Sequence, residues 1–275
     1  MIKWSSAEGF AATGISIDDH GVTVGDGIFE SMRVTQYGVF ALSRHLSRLR
    51  FAADLIGIDC PADTVMLSAI SEVVGKLKQS GISDARLRLT VTSGIGPAGV
   101  LRGANINWFI NAAAINRTSS PARIATSEIV RNEHSFVASI KTLSYIENVI
   151  ALNRAVLAGF DEAMLLNSKG EVAEAATSNL IFDLDNQLVT PALDCGVLRG
   201  ITREILISEF GVKEVVIRPT DLASISGAAL ISSVRGIQHI SHIDSAAVPG
   251  SKRIAELTEK YQQLLKSPCE YRMEI

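Results

Sequence analysis

Long apolar runs, blocks of like charge and paired cysteines are all missing from this sequence. No segment approaches the ~18 consecutive apolar residues of a membrane-spanning helix, and the start, MIKWSSAEGF, lacks the apolar stretch of a secretion signal. A cytoplasmic protein without membrane association is therefore expected. Cys60, Cys195 and Cys269 are odd in number, far apart and without metal-ligand spacing, which suits reduced thiols and gives no reason to expect a metal. The net charge is −3 and the 26 basic residues are scattered, so there is no electrostatic footprint for nucleic acid.

What remains is an ordinary globular composition, 47% hydrophobic and 20% charged over 275 residues, long enough for one large or two medium cores. Two domains are the default. The polar, proline-ended stretch Asn116-Arg117-Thr118-Ser119-Ser120-Pro121 is the best linker, which divides the chain into 1–116 and 117–275. Periodicity by itself yields a mixed α/β or α+β protein.

Several elements can be read from spacing. After the Gly25-Asp26-Gly27 turn, alternation places Phe29, Ser31 and Arg33 on one strand face and Ile28, Glu30 and Met32 on the other. Residues 43–56 form an amphipathic helix with Leu42, Leu46, Leu49, Ala53 and Ile56 on its apolar side and Arg48 on the opposite side. A second helix spans 63–79, and a strand at 85–92 sets Arg86, Arg88, Thr90 and Thr92 against a core face of Leu87, Leu89 and Val91. The following Gly94-Ile95-Gly96-Pro97-Ala98-Gly99 matches a dinucleotide-binding pattern, but Pro97 and Gly103 interrupt the helix that pattern needs. No acidic residue lies about 20 positions on, and a hairpin loop is the better reading.

Further along, a strand near 123–129 leads towards Lys141. Ser144 is placed to cap a helix whose apolar residues Ile146, Val149, Ile150, Val156 and Leu157 run to Gly159. Short strands with turns at 168–170 and 185–186 fill 162–190, a helix opens at Gly200, a buried strand covers 228–233, and 252–266 reads as a charged peripheral helix.

Within 141–203 the chemistry-bearing types follow one another: a lone lysine, Glu174 with Asn179 five residues on, and Gly200-Ile201-Thr202 at a helix start. A lysine supplies an amine for an aldehyde, a carboxylate holds a pyridine nitrogen protonated, and a helix N-terminus presents N–H groups to phosphate. Taken singly, Lys141 reads as a solvated boundary residue, Glu174 as a paired strand carboxylate, Arg48 as a surface arginine and Ser232-Ser233 as a strand-end turn.

The set Glu174, Ala176, Asn179, Leu180, Thr190, Leu198, Gly200, Ile201 and Arg203 resembles the signature of the class-IV (D-amino-acid and branched-chain aminotransferase fold) family of pyridoxal-phosphate enzymes. Ile181 departs from the aromatic residue usual there, with Phe182 one place later. GDGIFESMRV at 25–34 and HLSRL at 45–49 resemble the family's upstream segments, so nearly the whole chain is covered.

The resemblance implies a small α/β domain, a larger domain with a β-barrel-like core, and a homodimer with sites at the domain and subunit interface. It makes Lys141 the Schiff-base lysine and general base, Glu174 the partner of the pyridine nitrogen, and Arg48, Gly200, Ile201, Thr202, Ser232 and Ser233 the phosphate cup. Tyr145 would lie near the ring's phenolic oxygen. Phe29, Arg33, Arg88, Arg102 and Arg235 are the candidates on the substrate side, for a small-molecule amino substrate.

Asp18-Asp19-His20-Gly21, Arg131-Asn132-Glu133 and Lys-Thr-Leu-Ser-Tyr-x-Glu-Asn at 141–148 most resemble the aminodeoxychorismate lyase branch, which releases pyruvate and forms 4-aminobenzoate for folate. An aminotransferase acting on D- or branched-chain L-amino acids is the alternative. A fold that binds without chemistry is disfavoured, since no cofactor-handling position is lost.

Overall fold

The computed structural model describes residues 1–11, 14–116 and 120–266; Cys269 and residues 117–119 of the linker lie outside them. The chain divides into two compact units. Met1–Asn116 and Ile140–Ser144 build the first, and the described residues of Arg117–Ser139 and Tyr145–Ser267 build the second. Lys141, beyond the linker in sequence, thus belongs to the first unit.

That unit is an antiparallel sheet with helices. Its elements are β1 (Ile2–Ser5), α1 (His20–Thr23), β2 (Gly27–Thr35), β3 (Gly38–Val39), α2 (Leu42–Ile56), α3 (Asp63–Gln79), β4 (Ala85–Thr92) and β5 (Asn107–Ala114), with strand order β1-β5-β4-β2-β3. Directly opposed residues share a face, and Ile28 faces Val91, Glu30 faces Leu89 and Met32 faces Leu87. This row joins Leu42, Leu46 and Leu49 of α2 and Ile70, Val73 and Leu77 of α3 in one core.

The other row pairs Phe29 with Thr90, Ser31 with Arg88 and Arg33 with Arg86. The Gly-rich segment is the loop of the β4–β5 hairpin. Gly94 sits at φ +74°, and a Cβ there would lie 1.9 Å from the Asn105 carbonyl oxygen, so a turn accounts for the glycine without any nucleotide. Asp19 caps the unforeseen α1, its carboxylate accepting from the Gly21 N–H at 2.8 Å.

The second unit contains β6 (Ala122–Thr126), α4 (Ile146–Leu157), β7 (Glu162–Leu166), β8 (Val172–Ala175), β9 (Asn179–Leu184), β10 (Gln187–Pro191), α5 (Ile201–Phe210), β11 (Lys213–Val215), β12 (Gly227–Ser232), β13 (Gly236–Ile243), β14 (Ala246–Ala247) and α6 (Lys252–Leu264). Its sheet runs β11-β10-β9-β12-β13-β6-β7-β8, with β14 on β13. The Val172 N–H donates to the Ile217 carbonyl at 2.8 Å, tying β8 at one end to the residues just past β11 at the other. The sheet therefore curls on itself around Met164, Leu180, Phe182, Leu230 and Ile240, the barrel-like core the resemblance implied.

Two local expectations need correction. Ser144 does not cap α4: Tyr145 is the N-cap residue without a side-chain bond, and the Ser144 hydroxyl donates to the Gly25 carbonyl at 3.3 Å. The apolar side of α4 faces outward. Asn148, Ala151 and Ala155 are buried, while Ile146, Val149, Ile150, Val156 and Leu157 are exposed. Periodicity groups residues by face, but small residues let the helix approach Ala163, Leu165 and Ala176 closely. Finally, α6 is not peripheral. Ile254, Leu257 and Tyr261, spaced by three and four, are buried, and Tyr261 is fully so.

Candidate active site

The residues singled out by sequence divide between the units. Phe29, Arg33, Arg48, Arg88, Arg102 and Lys141 lie in the first; Tyr145, Glu174, Gly200, Ile201, Thr202, Ser232, Ser233 and Arg235 lie in the second.

In the first unit, residues 141–143 run along β2. The Phe29 N–H donates to the Lys141 carbonyl and the Leu143 N–H to the Gly27 carbonyl, each at 2.9 Å. Lys141 is thereby held through its own carbonyl, and the chain is pinned again two residues on. Its Nζ lies 4.4 Å from the centroid of the Phe29 ring, and the Arg88 guanidinium carbon lies 3.5 Å from the same centroid. Two of the candidates thus meet around the ring of a third.

Glu30 on the core side of β2 is fully closed off. Its Oε1 accepts from Arg48 Nε at 2.7 Å, and Oε2 accepts from Arg48 Nη2 at 2.6 Å and His45 Nδ1 at 2.7 Å. Burial works against the Glu30 carboxylate, yet the charges of Arg48 and His45 outweigh it and hold its pKa at about 2. Burial lowers the His45 pKa, against the pull of Glu30. A buried Glu on a core face was not legible as a site residue. The signal was the odd acidic residue between Ile28 and Met32.

Other arginines are committed elsewhere. Arg33 forks onto Asp84, Nε to Oδ1 at 2.9 Å and Nη2 to Oδ2 at 3.0 Å, and is buried. Arg102 holds both Asp26 oxygens at 2.7 Å and reaches the Ile56 and Gly57 carbonyls at 2.6 and 2.8 Å, closing the α2 C-terminus. The Arg102 hydrogen bond keeps Asp26 below the usual carboxylate range. In the second unit Arg235 pairs with buried Glu162 at 3.2 Å and bonds Gln238. Burial raises the Glu162 carboxyl, opposed by the Thr177 hydroxyl and Arg235. A substrate role for Arg33, Arg102 or Arg235 would require giving up these partners.

Glu174 anchors the second group. Its Oε2 accepts from Asn179 Nδ2 at 3.1 Å and the Leu198 N–H at 3.0 Å, and Arg131 Nη2 lies 3.3 Å from Oε1. Arg131, named from the sequence only as part of a segment resembling the lyase branch and not as a site residue, is itself fixed by the Gly196 and Ala138 carbonyls. Asn179 also donates to the Leu198 carbonyl, and a Cβ on Gly200 would lie 1.9 Å from Asn179 Oδ1. Only glycine permits that approach. Gly200 is the N-cap of α5, makes no side-chain cap and so leaves the helix start open to an acceptor.

The remaining signature positions are struts. The Thr190 hydroxyl donates to the Leu180 carbonyl at 2.7 Å, and buried Arg203 bonds the Pro191 carbonyl at 2.8 Å and Glu214. Tyr145 Oη and Asn148 Nδ2 both donate to the Ala176 carbonyl, at 3.3 and 2.8 Å. Ser232 Oγ accepts from the Arg235 N–H at 3.1 Å, the turn role available to it, and Ser233 beside it is buried. Among the described residues no cluster of three or more His, Cys, Asp or Glu is arranged for a metal, and no helix is long and apolar enough to cross a membrane.

A curled sheet bearing a buried, hydrogen-bonded carboxylate beside an uncapped helix start defines a fold-type IV architecture. A hypothetical aminotransferase from Mycobacterium tuberculosis, solved in a PLP-bound form, superposes with a TM-score of 0.85 over 96% of this chain and 98% of that one at 22% identity. The Amino-transferase class IV family model matches residues 27–243, and the chain belongs to that family. A Methanocaldococcus jannaschii protein, provisionally named a branched-chain-amino-acid aminotransferase, is 31% identical over 92% of this chain and 90% of its own length. The aminodeoxychorismate lyase of Bacillus subtilis is 30% identical over 69% of this chain and 66% of its own.

Proposed function

We propose that this chain is a pyridoxal-phosphate enzyme that removes a proton from the amine-bearing carbon of a small-molecule amino substrate, and that pyruvate elimination from aminodeoxychorismate is its reaction. The observation that carries the cofactor assignment is Glu174: a buried carboxylate with one oxygen saturated by Asn179 and Leu198, adjoining a glycine-started helix without a cap. These residues fit a phosphate-bearing pyridine.

When bound, pyridoxal phosphate supplies an aldehyde and a ring that takes up electrons released at the substrate carbon. Lys141 supplies the amine and then the base, and its backbone clamp on β2 limits where Nζ can reach. Glu174 keeps the ring nitrogen protonated, with Arg131 Nη2 3.3 Å from its other oxygen. Ile201 and Thr202 offer N–H groups and Thr202 a hydroxyl to phosphate at the α5 N-terminus, with Ser233 adding a hydroxyl and Arg48 a charge. Arg88, on the Phe29 row of a rigid strand, orients the substrate carboxylate.

The elimination is supported by the 141–148 segment and the B. subtilis lyase. Amino transfer is the second reading, favoured by the longer match to the M. jannaschii protein. Incubation with aminodeoxychorismate, following pyruvate, and in parallel with D- and L-amino acids plus a keto acid, separates them. Amino transfer with aminodeoxychorismate left intact would replace the lyase assignment. A homodimer is part of the proposal, supported by the exposed apolar face of α4, and light scattering tests it.

A further inference from the structure

Resting on the phosphate role of the α5 N-terminus, we infer that Tyr261 is a positioning residue that makes Thr202 a hydrogen-bond donor towards the cofactor phosphate. Tyr261 lies on α6, beyond residues 27–243 matched by the family. Its hydroxyl is 3.2 Å from Thr202 Oγ1, and neither residue is exposed by more than 1%. The contact sits on the second residue of α5, within the first turn after the Gly200 cap.

The direction of this bond decides what Thr202 can do. Each hydroxyl has one proton, and either oxygen can be the donor in this contact. An ionised phosphate oxygen is an acceptor. If Thr202 spends its proton there, the 3.2 Å contact persists only with Tyr261 donating, and the two bonds in series polarise one another. Were Thr202 instead to donate to Tyr261, its hydroxyl would offer phosphate only lone pairs.

The Tyr261 ring is held for this task. A Cβ on Gly236 would lie 3.8 Å from Tyr261 Cε1, so the ring packs beneath the β12–β13 turn that also carries Ser233. Ser251 locks the start of α6 by accepting from the Ile254 N–H at 3.1 Å and donating to Asp183 Oδ2 at 2.6 Å on β9. The C-terminal helix therefore sets the direction of one donor in the cup without touching the cofactor.

The test is equilibrium dialysis of pyridoxal phosphate and of phosphate-free pyridoxal against the full chain, with Tyr261→Phe, Thr202→Val and the double variant. Loss of one hydrogen-bond donor is expected to weaken pyridoxal phosphate about two- to ten-fold in Tyr261→Phe. Pyridoxal affinity should not change, and Tyr261→Phe should add nothing in the Thr202→Val background. Thr202→Ser, which keeps the hydroxyl, should retain the dependence on Tyr261. An equal loss for pyridoxal, a loss that persists in Thr202→Val, or unchanged phosphate-ester affinity overturns the inference alone. If borohydride fixes no pyridoxal phosphate to Lys141 in the unaltered chain, the underlying cofactor assignment falls as well.

Discussion

Replacing Glu30 by Gln tests whether the buried ion pair of the first unit is an electrostatic keystone or mere packing. Glu30 accepts three hydrogen bonds at 2.6–2.7 Å from Arg48 and His45. Glutamine has the same shape but turns one acceptor into a donor that faces those same donors. Removing one partner of a buried pair costs about 3–5 kcal/mol, because the other charge stays desolvated. With a urea slope of about 2 kcal/mol/M, the midpoint should fall by about 2 M. The assay is direct, since both tryptophans, Trp4 and Trp108, lie against each other in the first unit with ring centroids 4.7 Å apart and planes tilted by 45°, so their fluorescence follows that unit.

The pH dependence provides a second check. The Glu30 carboxyl is lowered from 4.5 to about 2. A group whose folded pKa is depressed contributes stability that is complete above the unfolded value and is lost as pH falls through the folded one. The gap between the two proteins should therefore be full at neutral pH and shrink from about pH 4.5 towards pH 2, by about 3 kcal/mol on the size of that displacement. A gap below about 1 kcal/mol at pH 7, or one that stays constant between neutral and strongly acidic pH, would refute the reasoning.

Glu174→Gln should retain the cofactor and lower kcat by about a hundredfold, because the ring nitrogen loses its proton partner; wild-type turnover would remove the role. Arg102→Ala should free residues 94–103 from Asp26 and the end of α2, costing about 1 kcal/mol or less of stability but speeding proteolytic cleavage in that loop; an unchanged fragment map would dismiss the latch. Arg88→Ala should raise KM for the acidic substrate with the cofactor spectrum unchanged. Arg33→Met should instead lower the urea midpoint of the first unit, leaving Asp84 without its fork, and the opposite pair of outcomes would exchange the two assignments.

Much of the secondary structure was legible locally. Helix 63–79 and strand 85–92 coincide with the periodicity because the apolar positions of each are buried, although Thr90 and Thr92 on the strand's other row are buried as well. The short strands β1, β3, β11 and β14 carry too few residues for a period to emerge. β13 is interrupted by a register shift between Ile240 and His242, which breaks the alternation that would have revealed it.

What the sequence by itself determined is the set of unusual residues: a lysine beside a Thr-Leu-Ser-Tyr run, Glu174 with Asn179, and Gly200 at a helix start. Residue type carries chemistry, so these could be found without coordinates. Only the tertiary structure decided which groups are already spoken for. Arg33, Arg102 and Arg235 look alike in sequence, but Asp84, Asp26 and Glu162 claim them through contacts 51, 76 and 73 positions apart. It alone turned the apolar side of α4 outward and brought Tyr261 to Thr202 across 59 residues. Hydrophobic and hydrogen-bonding potential belong to the residue, but partners are assigned by the path of the chain, and a buried polar group acts on whatever that path sets beside it.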